Sequence, residues 1–419
     1  MRILHTSDWH LGCTLENRSR LPEQEKFIAE LVQIVKDEKI DLVLIAGDIF
    51  DTANPPAAAE ELYYNAIDAL SADGKRAVVI IAGNHDNPER LCAASPLAGR
   101  QGIILLGLPK EKPWEGVNNV QGKAVPIQSG QGWVELGLPG VKESVVIGLL
   151  PYPSEARLNE VLLGSLEDEE IVQQSYAERV SYLFQRLNAH FKPQTVNIAV
   201  SHLFVRGGIT SDSERPIQLQ LGGAMVVEPA SLPSKAQYIA LGHLHRPQNV
   251  HNAPVLARYS GSPIAYSFSE SGYAKSVTIV DVKPGEKAAV QEIYLSSGYP
   301  LVKWQAKEGL AQVYNWINGK RDLDAWIDLE IHLSKPLSAK EIGDLRRMRE
   351  RFIHIRPVFP QTQMETIEGR AHLPLDELFC SFFRRQNSGA EPDEALVKLF
   401  LELVGSADNN ISSKEEESL

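Results

Sequence analysis

Six short runs of continuously apolar, largely β-branched residues punctuate positions 1–270, at 2–6, 40–46, 77–82, 145–150, 196–201 and 237–241, each closed by turn chemistry. Runs without polar alternation predict strands covered on both faces. Between them the period lengthens to that of a helix. Residues 23–36 place Phe27, Leu31, Ile34 and Val35 on one face, 56–70 opens on a proline pair and continues in Ala, Glu and Leu, and 175–191 repeats the amphipathic spacing. Strand and helix in alternation predict an α/β core.

The texture changes twice more. Residues 105–140 are rich in Gly, Pro and Gln around Trp114 and Trp133, which predicts hairpins or a long surface excursion. A loop-rich stretch from 282 to 300 sets an expected boundary, with one domain over 1–282 and a small α+β module over 283–362. In that module Ile327, Leu329, Ile331 and Leu333 alternate with Asp328, Glu330 and His332, a helix is expected over 338–350, and Phe352–Val358 returns as a strand. Two amphipathic helices follow over 370–406, striped by Leu375, Leu378, Phe379, Phe382 and Phe383 and by Leu396, Leu399, Phe400, Leu403 and Val404. The polar, acidic tail 407–419 is expected to be disordered.

Composition narrows the class. A chain of 419 residues exceeds the usual domain of roughly 150, and 43% apolar with 23% charged residues excludes wholesale disorder or a fibrous repeat. No apolar run approaches the ~20 residues of a membrane span, and the first residues lack a signal peptide's apolar core, so a cytoplasmic protein is expected. Cys13, Cys92 and Cys380 show no paired spacing, which argues against a disulfide framework or a zinc–thiolate site. With 54 acidic against 42 basic residues the net charge is −12. Bulk charge therefore repels nucleic acid, and any DNA binding needs a local patch, a metal centre or a partner.

Polar clusters follow five of the apolar runs: Asp8-Trp9-His10, Gly47-Asp48-Ile49-Phe50-Asp51, Gly83-Asn84-His85-Asp86, Ser201-His202 and Gly242-His243-Leu244-His245. Loops at the carboxyl ends of parallel strands gather on one edge, where ligands bind. Taken singly, each cluster reads as a turn or a satisfied core histidine. Together they hold five of the eleven histidines beside carboxylates and an amide, without thiolate, a ligand set for Mn²⁺, Fe²⁺ or Zn²⁺. In extended chain Asp8 and His10 project to one side, as do His243 and His245.

The series DxH, GDxxD, GNHD, a lone His and GHxH resembles the calcineurin-like metallophosphoesterase superfamily. The opening from Arg2 to Gly12, with Gly242-His243-Leu244-His245-Arg246 and Tyr259-Ser260-Gly261-Ser262-Pro263, is similar in particular to the Mre-type nucleases, most strongly over 1–270. The resemblance implies a β-sandwich core flanked by helices and two Mn²⁺ ions. One would be held by Asp8, His10 and His245, the other by Asn84, His202 and His243, with Asp48 between them. It implies His85 as the residue that stabilises or protonates the leaving 3′ oxygen, with Asp86 fixing its ring. Asp51 is expected just behind the ions, its contact with substrate, water or the local turn left open. His5 reads as a structural hydrogen bond, and Glu214-Arg215 as a solvated loop.

The activity implied is DNA hydrolysis for repair, recombination and replication, as an exonuclease on double-stranded ends and an endonuclease on single-stranded or hairpin DNA. An SMC-like ATPase is the implied partner, docked on the C-terminal helices, although those helices could equally pack on their own domain. A homodimer through helices near 56–70 and 88–100 would use Leu62, Tyr63, Tyr64, Leu91 and Leu97. The second module would help position DNA through Lys303, Lys307, Lys320, Arg321, Arg346, Arg347, Arg349 and Arg351, although a solvated helix face is the simpler account of 346–351. Two alternatives stand beside this reading. A phosphomonoesterase is disfavoured by Thr52 after Asp51 and Asp86 after His85, while a small-substrate phosphodiesterase is harder to exclude. A catalytically dead scaffold finds no mark of decay at any ligand position.

Overall fold

The apolar runs form strands because their side chains divide between two cores. In the computed structural model, which describes residues 1–114, 122–162, 175–214, 225–359, 374–386 and 391–415, β4 (Leu42–Ala46) and β5 (Ala77–Ile81) are buried at every position. Val43, Ile45, Val78 and Ile80 pack against helices Leu21–Asp37 and Ala57–Ser71, whereas Leu42, Leu44, Val79 and Ile81 face a second sheet. Period-two alternation thus serves two apolar faces, and no polar residue marks either.

The first sheet has the order β15 (Ala289–Tyr294), β14 (Ser276–Asp281), β1 (Arg2–Thr6), β4, β5, β6 (Ile103–Leu106). The second runs β12 (Gln248–Asn249), β13 (Ala257–Tyr259), β11 (Tyr238–Gly242), β10 (Val196–His202), β9 (Val145–Leu150), β8 (Trp133–Gly137), β7 (Val125–Gly130). β1, β4 and β5 are mutually parallel, and so are β9, β10 and β11. Helix Tyr176–Asn188 covers the outer face of the second sheet with Val180, Leu183, Phe184 and Leu187. The result is the expected α/β sandwich, helices outside and two sheets within. A small hairpin, β2 (Thr14–Leu15) with β3 (Arg18–Ser19), forms a separate two-stranded sheet.

Several strands escaped the pattern, among them β6, β13, β14 and β15. β6 was hidden in the expected excursion, although β7 and β8 do form a hairpin there. β14 and β15 form another across Lys283-Pro284-Gly285, a turn closed by Glu286 N–H donating to the Lys283 carbonyl at 3.1 Å with Gly285 at φ +74°. That Pro-Gly is therefore a hairpin turn inside the first unit, which continues to Val302 and includes Asp324–Trp326. The boundary expected at 282 is corrected accordingly.

The second unit, Lys303–Leu323 with Ile327–Leu419, contains most of a three-stranded sheet, β16 (Leu301–Ala306), β17 (Trp326–His332) and β18 (Phe352–Val358). It is the expected α+β module, with helices Leu310–Asn318 and Ala339–Met348. Arg349 is buried there, its guanidinium donating to the carbonyls of Arg321, Asp322 and Leu323, so it braces a loop and leaves the exposed basic set to Lys303, Lys307, Lys320, Arg321, Arg346 and Arg347. Helices Leu375–Gln386 and Glu394–Glu415 end the described chain. The second overruns the tail expected to be disordered, because nothing after Gly405 breaks a helix already nucleated at Glu394. Residues 416–419 lie outside the described residues, as does Arg215.

Candidate metal centre

Each polar cluster begins where a strand runs out. Asp8 and His10 follow β1, Asp48 follows β4, and Asn84 and His85 follow β5, all in the first sheet. His202 ends β10 and His243 and His245 follow β11, both in the second. The strand exits approach closely, within the first sheet and between the two, only because small residues precede the functional ones. A Cβ on Gly83 would sit inside the Asp48 carboxylate, and one on Gly242 inside the Ala46 carbonyl. The Gly-Asn and Gly-His dipeptides are thus a packing requirement of the site.

The backbone is left-handed at Asp8 (φ 53°), His10 (φ 44°), Asp48 (φ 49°) and His243 (φ 100°). Such angles are costly for residues other than glycine and persist where surroundings over-determine them. Here Asp8 N–H donates to the Gly47 carbonyl and His10 N–H to the Asp48 carbonyl, both at 3.0 Å, and His243 N–H to Asp8 Oδ1 at 2.9 Å. Ser7 Oγ–H donates to Asp8 Oδ2 at 2.6 Å.

The expected ligands converge in two adjacent groups, and a third group of His10, Asp51 and His85 shares His10 with the first. Ligand atoms of Asp8, His10 and His245 lie within 4.8 Å of one another, as do those of Asp48, His202 and His243. Asn84 Oδ1 stands 2.9 Å from His202 Nε2 and 3.0 Å from His243 Nδ1. Asp48 Oδ2 is 3.7 Å from His10 Nε2 and 3.3 Å from His202 Nε2, so one oxygen faces both groups. All seven expected ligands are gathered, and only Asn84 among them is not buried.

The donor–acceptor balance tests whether a cation fits. His202 Nδ1–H donates to the Ala46 carbonyl at 2.8 Å, leaving Nε2 of the neutral ring a bare lone pair. That lone pair faces a carboxylate oxygen and an amide oxygen, both acceptors. A proton or a metal must lie among them, and without metal the ring holds one: burial alone would lower its pKa, but the Asp48 carboxylate carries it to about 9. The same partnership keeps Asp48 well below the usual carboxylate range despite its burial. His243 is pushed down to about 3, by burial first and then by His202, so it stays neutral and able to ligate. Imidazole nitrogen, carboxylate and amide oxygen, without thiolate, fit a divalent ion of the Mn²⁺, Fe²⁺ or Zn²⁺ type.

His85 lies at the half-buried mouth. Its Nδ1–H donates to the Asp51 carbonyl at 2.6 Å, and its backbone N–H donates to Asp48 Oδ1 at 2.8 Å. Asp86 does something else. Its carboxylate accepts N–H groups from Gly83 at 2.8 Å, Phe50 at 3.0 Å and Ile49 at 3.2 Å, and burial beside Asp48 raises its pKa to about 6. The expectation that Asp86 fixes the His85 ring is corrected: it clamps the loops after β4 and β5, because three backbone amides there outcompete one imidazole. The ring is fixed by the Asp51 carbonyl, while the Asp51 carboxylate stands 3.5 Å from His10 Nδ1.

Glu214 corrects another expectation. It is buried, and its carboxylate accepts the backbone N–H groups of His245, at 2.7 Å, and Ser211. Ser213, Glu270 and Lys275 were not anticipated at all. Glu270 is ionised behind His245, held below the ordinary range because Lys275 overcomes the effect of burial. The one local signal, a capping box from Ser267 to Glu270, points to a helix start and not to a metal site. His5 is the structural residue expected, its Nδ1 2.9 Å from Tyr238 Oη.

Comparison with known proteins follows the same lines. A family model described as calcineurin-like phosphoesterase matches residues 1–247. The chain is 52% identical over 406 residues to a Bacillus subtilis protein named as the SbcD component of the SbcCD nuclease, covering 96% of this chain and 98% of that one. Proteins of the same name from Rhodobacter capsulatus and Escherichia coli K12 are 33% and 30% identical, covering 73% and 79% of this chain and 72% and 78% of theirs.

Proposed function

The chain belongs to the calcineurin-like phosphoesterase family, in its SbcD branch, and from that premise we propose that it is a two-metal DNA nuclease working with an SbcC-type SMC-like ATPase. The observation that carries the reading is the meeting of acceptors around Asp48 Oδ2 and Asn84 Oδ1, where His202 Nε2 faces two oxygens and only a proton or a cation can lie among them. Asp8, His10 and His245 would hold one ion and Asn84, His202 and His243 the other, with Asp48 shared. Mn²⁺ suits this donor set. Bound there, two ions supply charge neutralisation on the phosphodiester and a more acidic water near neutral pH.

The protein's own groups do the rest. The half-buried His85 presents Nε2 where it gives a proton to the departing 3′ oxygen, while the Asp51 carbonyl keeps its other nitrogen protonated. The Asp48 carboxylate holds the His85 backbone through Oδ1 and faces both ion sites through Oδ2, so metal and proton donor share one anchor. Exonuclease action on double-stranded ends and endonuclease action on single-stranded or hairpin DNA, in repair in the bacterial cytoplasm, is the activity this supports.

Two surfaces support the assembly. On the C-terminal helices Phe379 stacks on Phe400 at 4.2 Å between ring centroids, yet Leu378, Phe382, Leu399 and Leu403 stay exposed, a stripe suited to the ATPase's coiled coil. For a homodimer the surface is smaller than expected, since Tyr63 and Leu91 are core residues and Tyr64 and Leu97 remain exposed.

His85→Gln tests the chemistry. We expect Mn²⁺ content to stay at the parental level while cleavage of linear and hairpin DNA falls at least about 100-fold. Parental cleavage removes His85 from the mechanism, equal loss of metal makes it a ligand, and turnover confined to small phosphoesters in the parental chain removes the nuclease reading.

A further inference from the structure

His245 is held from every side but one. Its backbone N–H donates to Glu214 Oε1 at 2.7 Å, its carbonyl accepts from Lys275 Nζ at 2.9 Å, and its Nδ1 lies 2.8 Å from Ser213 Oγ and, more distantly, 3.5 Å from Glu270 Oε1. Ser213 Oγ is in turn 2.5 Å from Glu270 Oε1 and 2.6 Å from Ser211 Oγ. The remaining nitrogen, Nε2, is 3.1 Å from His10 Nε2 and belongs to the group with Asp8.

Counting protons fixes the direction of these bonds. Glu270 is surrounded by donors, with the Lys275 ammonium on Oε2 and the Tyr266 and Ser267 backbone N–H groups on Oε1, so its oxygens only accept. The Ser213 hydroxyl must then donate to Glu270, because that is its single proton. Its lone pairs accept from Ser211 Oγ–H and from His245, which requires the His245 proton on Nδ1. The ring is left with a bare lone pair at Nε2, aimed at the Asp8–His10 group.

We propose that Glu270, acting through the Ser213 hydroxyl and from 3.5 Å on the same ring nitrogen, is a positioning residue that fixes the ring tautomer of His245 and thereby sets the affinity of one ion site independently of the other. The inference rests on the metal reading above. Independence follows from the separate anchoring of the second group: the orientation of His202 comes from the Ala46 carbonyl, and neither Ser213 nor Glu270 touches Asn84, His202 or His243 among the described contacts. A carboxylate behind a histidine ligand is a known lever on metal affinity, of about 10- to 100-fold. A carboxylate reaching through serine extends that lever, and places its relay in the chain segment that follows the strand bearing His202.

The test uses the full chain stripped with chelator and titrated with MnCl₂ by calorimetry, with low-temperature electron paramagnetic resonance to separate singly from doubly loaded protein. Ser213→Ala leaves the Glu270–Lys275 pair in place, and Glu270→Gln removes the charge. We expect each to weaken one of the two binding steps about 10- to 100-fold with the other step unchanged, and Ser213→Thr, which restores a hydroxyl, to recover it. The thermal midpoint of metal-free Ser213→Ala should match the parental one. Two parental steps in Ser213→Ala and Glu270→Gln, equal weakening of both steps, or failure of Ser213→Thr to recover the lost step overturns the proposal. A parental chain that takes up no Mn²⁺ overturns the metal reading itself, a failure visible before any variant is made.

Discussion

Glu270 shows how much a single buried carboxylate can decide at the residue scale. It is 1% exposed, yet ionised, because Lys275 and backbone donors surround it. Its folded pKa lies below the usual carboxylate range. A depressed carboxylate pKa contributes stability above the unfolded value of about 4.3 and loses it as pH falls towards the folded value. The metal-free chain should therefore lose stability progressively below about pH 4.5, read as a falling urea midpoint, and Glu270→Gln should flatten that fall. An unchanged slope in the variant would assign the acid sensitivity to other groups.

Loops matter more than strands at the scale of the element. β4 and β5 deliver Asp48 and Asn84 to the same edge, but their exits are joined by the Asp86 carboxylate on three amides. Removing it strands buried N–H groups, each worth about 1–3 kcal/mol. Asp86→Ala should thus cost roughly 3 kcal/mol in urea unfolding and lower ion uptake along with activity. Loss of activity at parental stability and metal content would return Asp86 to a direct part in the chemistry. The strained residues Asp8, Asp48 and His243 follow the same logic, since each sits at an exit where hydrogen bonds from another strand's loop hold it.

For the whole molecule, the proposed chemistry and the proposed partner surface fall in different units. Every candidate ligand lies before Val302, whereas the exposed apolar stripe lies on the terminal helices of the second unit. A chain ending near residue 369 should keep parental Mn²⁺ uptake while losing capture of the SMC-like ATPase in a pull-down by at least about tenfold, the scale of losing a few apolar anchors. Undiminished capture by the shortened chain would refute docking on that helix pair.

Much of this was legible along the chain. Continuous apolar runs marked six strands, and Gly-Asp, Gly-Asn and Gly-His at their exits marked the candidate ligands, because close packing and metal chemistry both constrain residue type locally. Less legible were β6, β14 and β15, where a Pro-Gly hairpin resembles a linker, and the partners of Asp86, among them amides 36 and 37 residues earlier. Residue types and spacing alone determined which donors this protein brings to one edge. Only tertiary structure decided which of them face one another: His243 meets Asp8 across 235 residues, His245 meets Glu270 through Ser213, and Asp86 turns from His85 to backbone. Hydrogen-bond direction and cation fit depend on ångström distances between segments, and no local pattern encodes those.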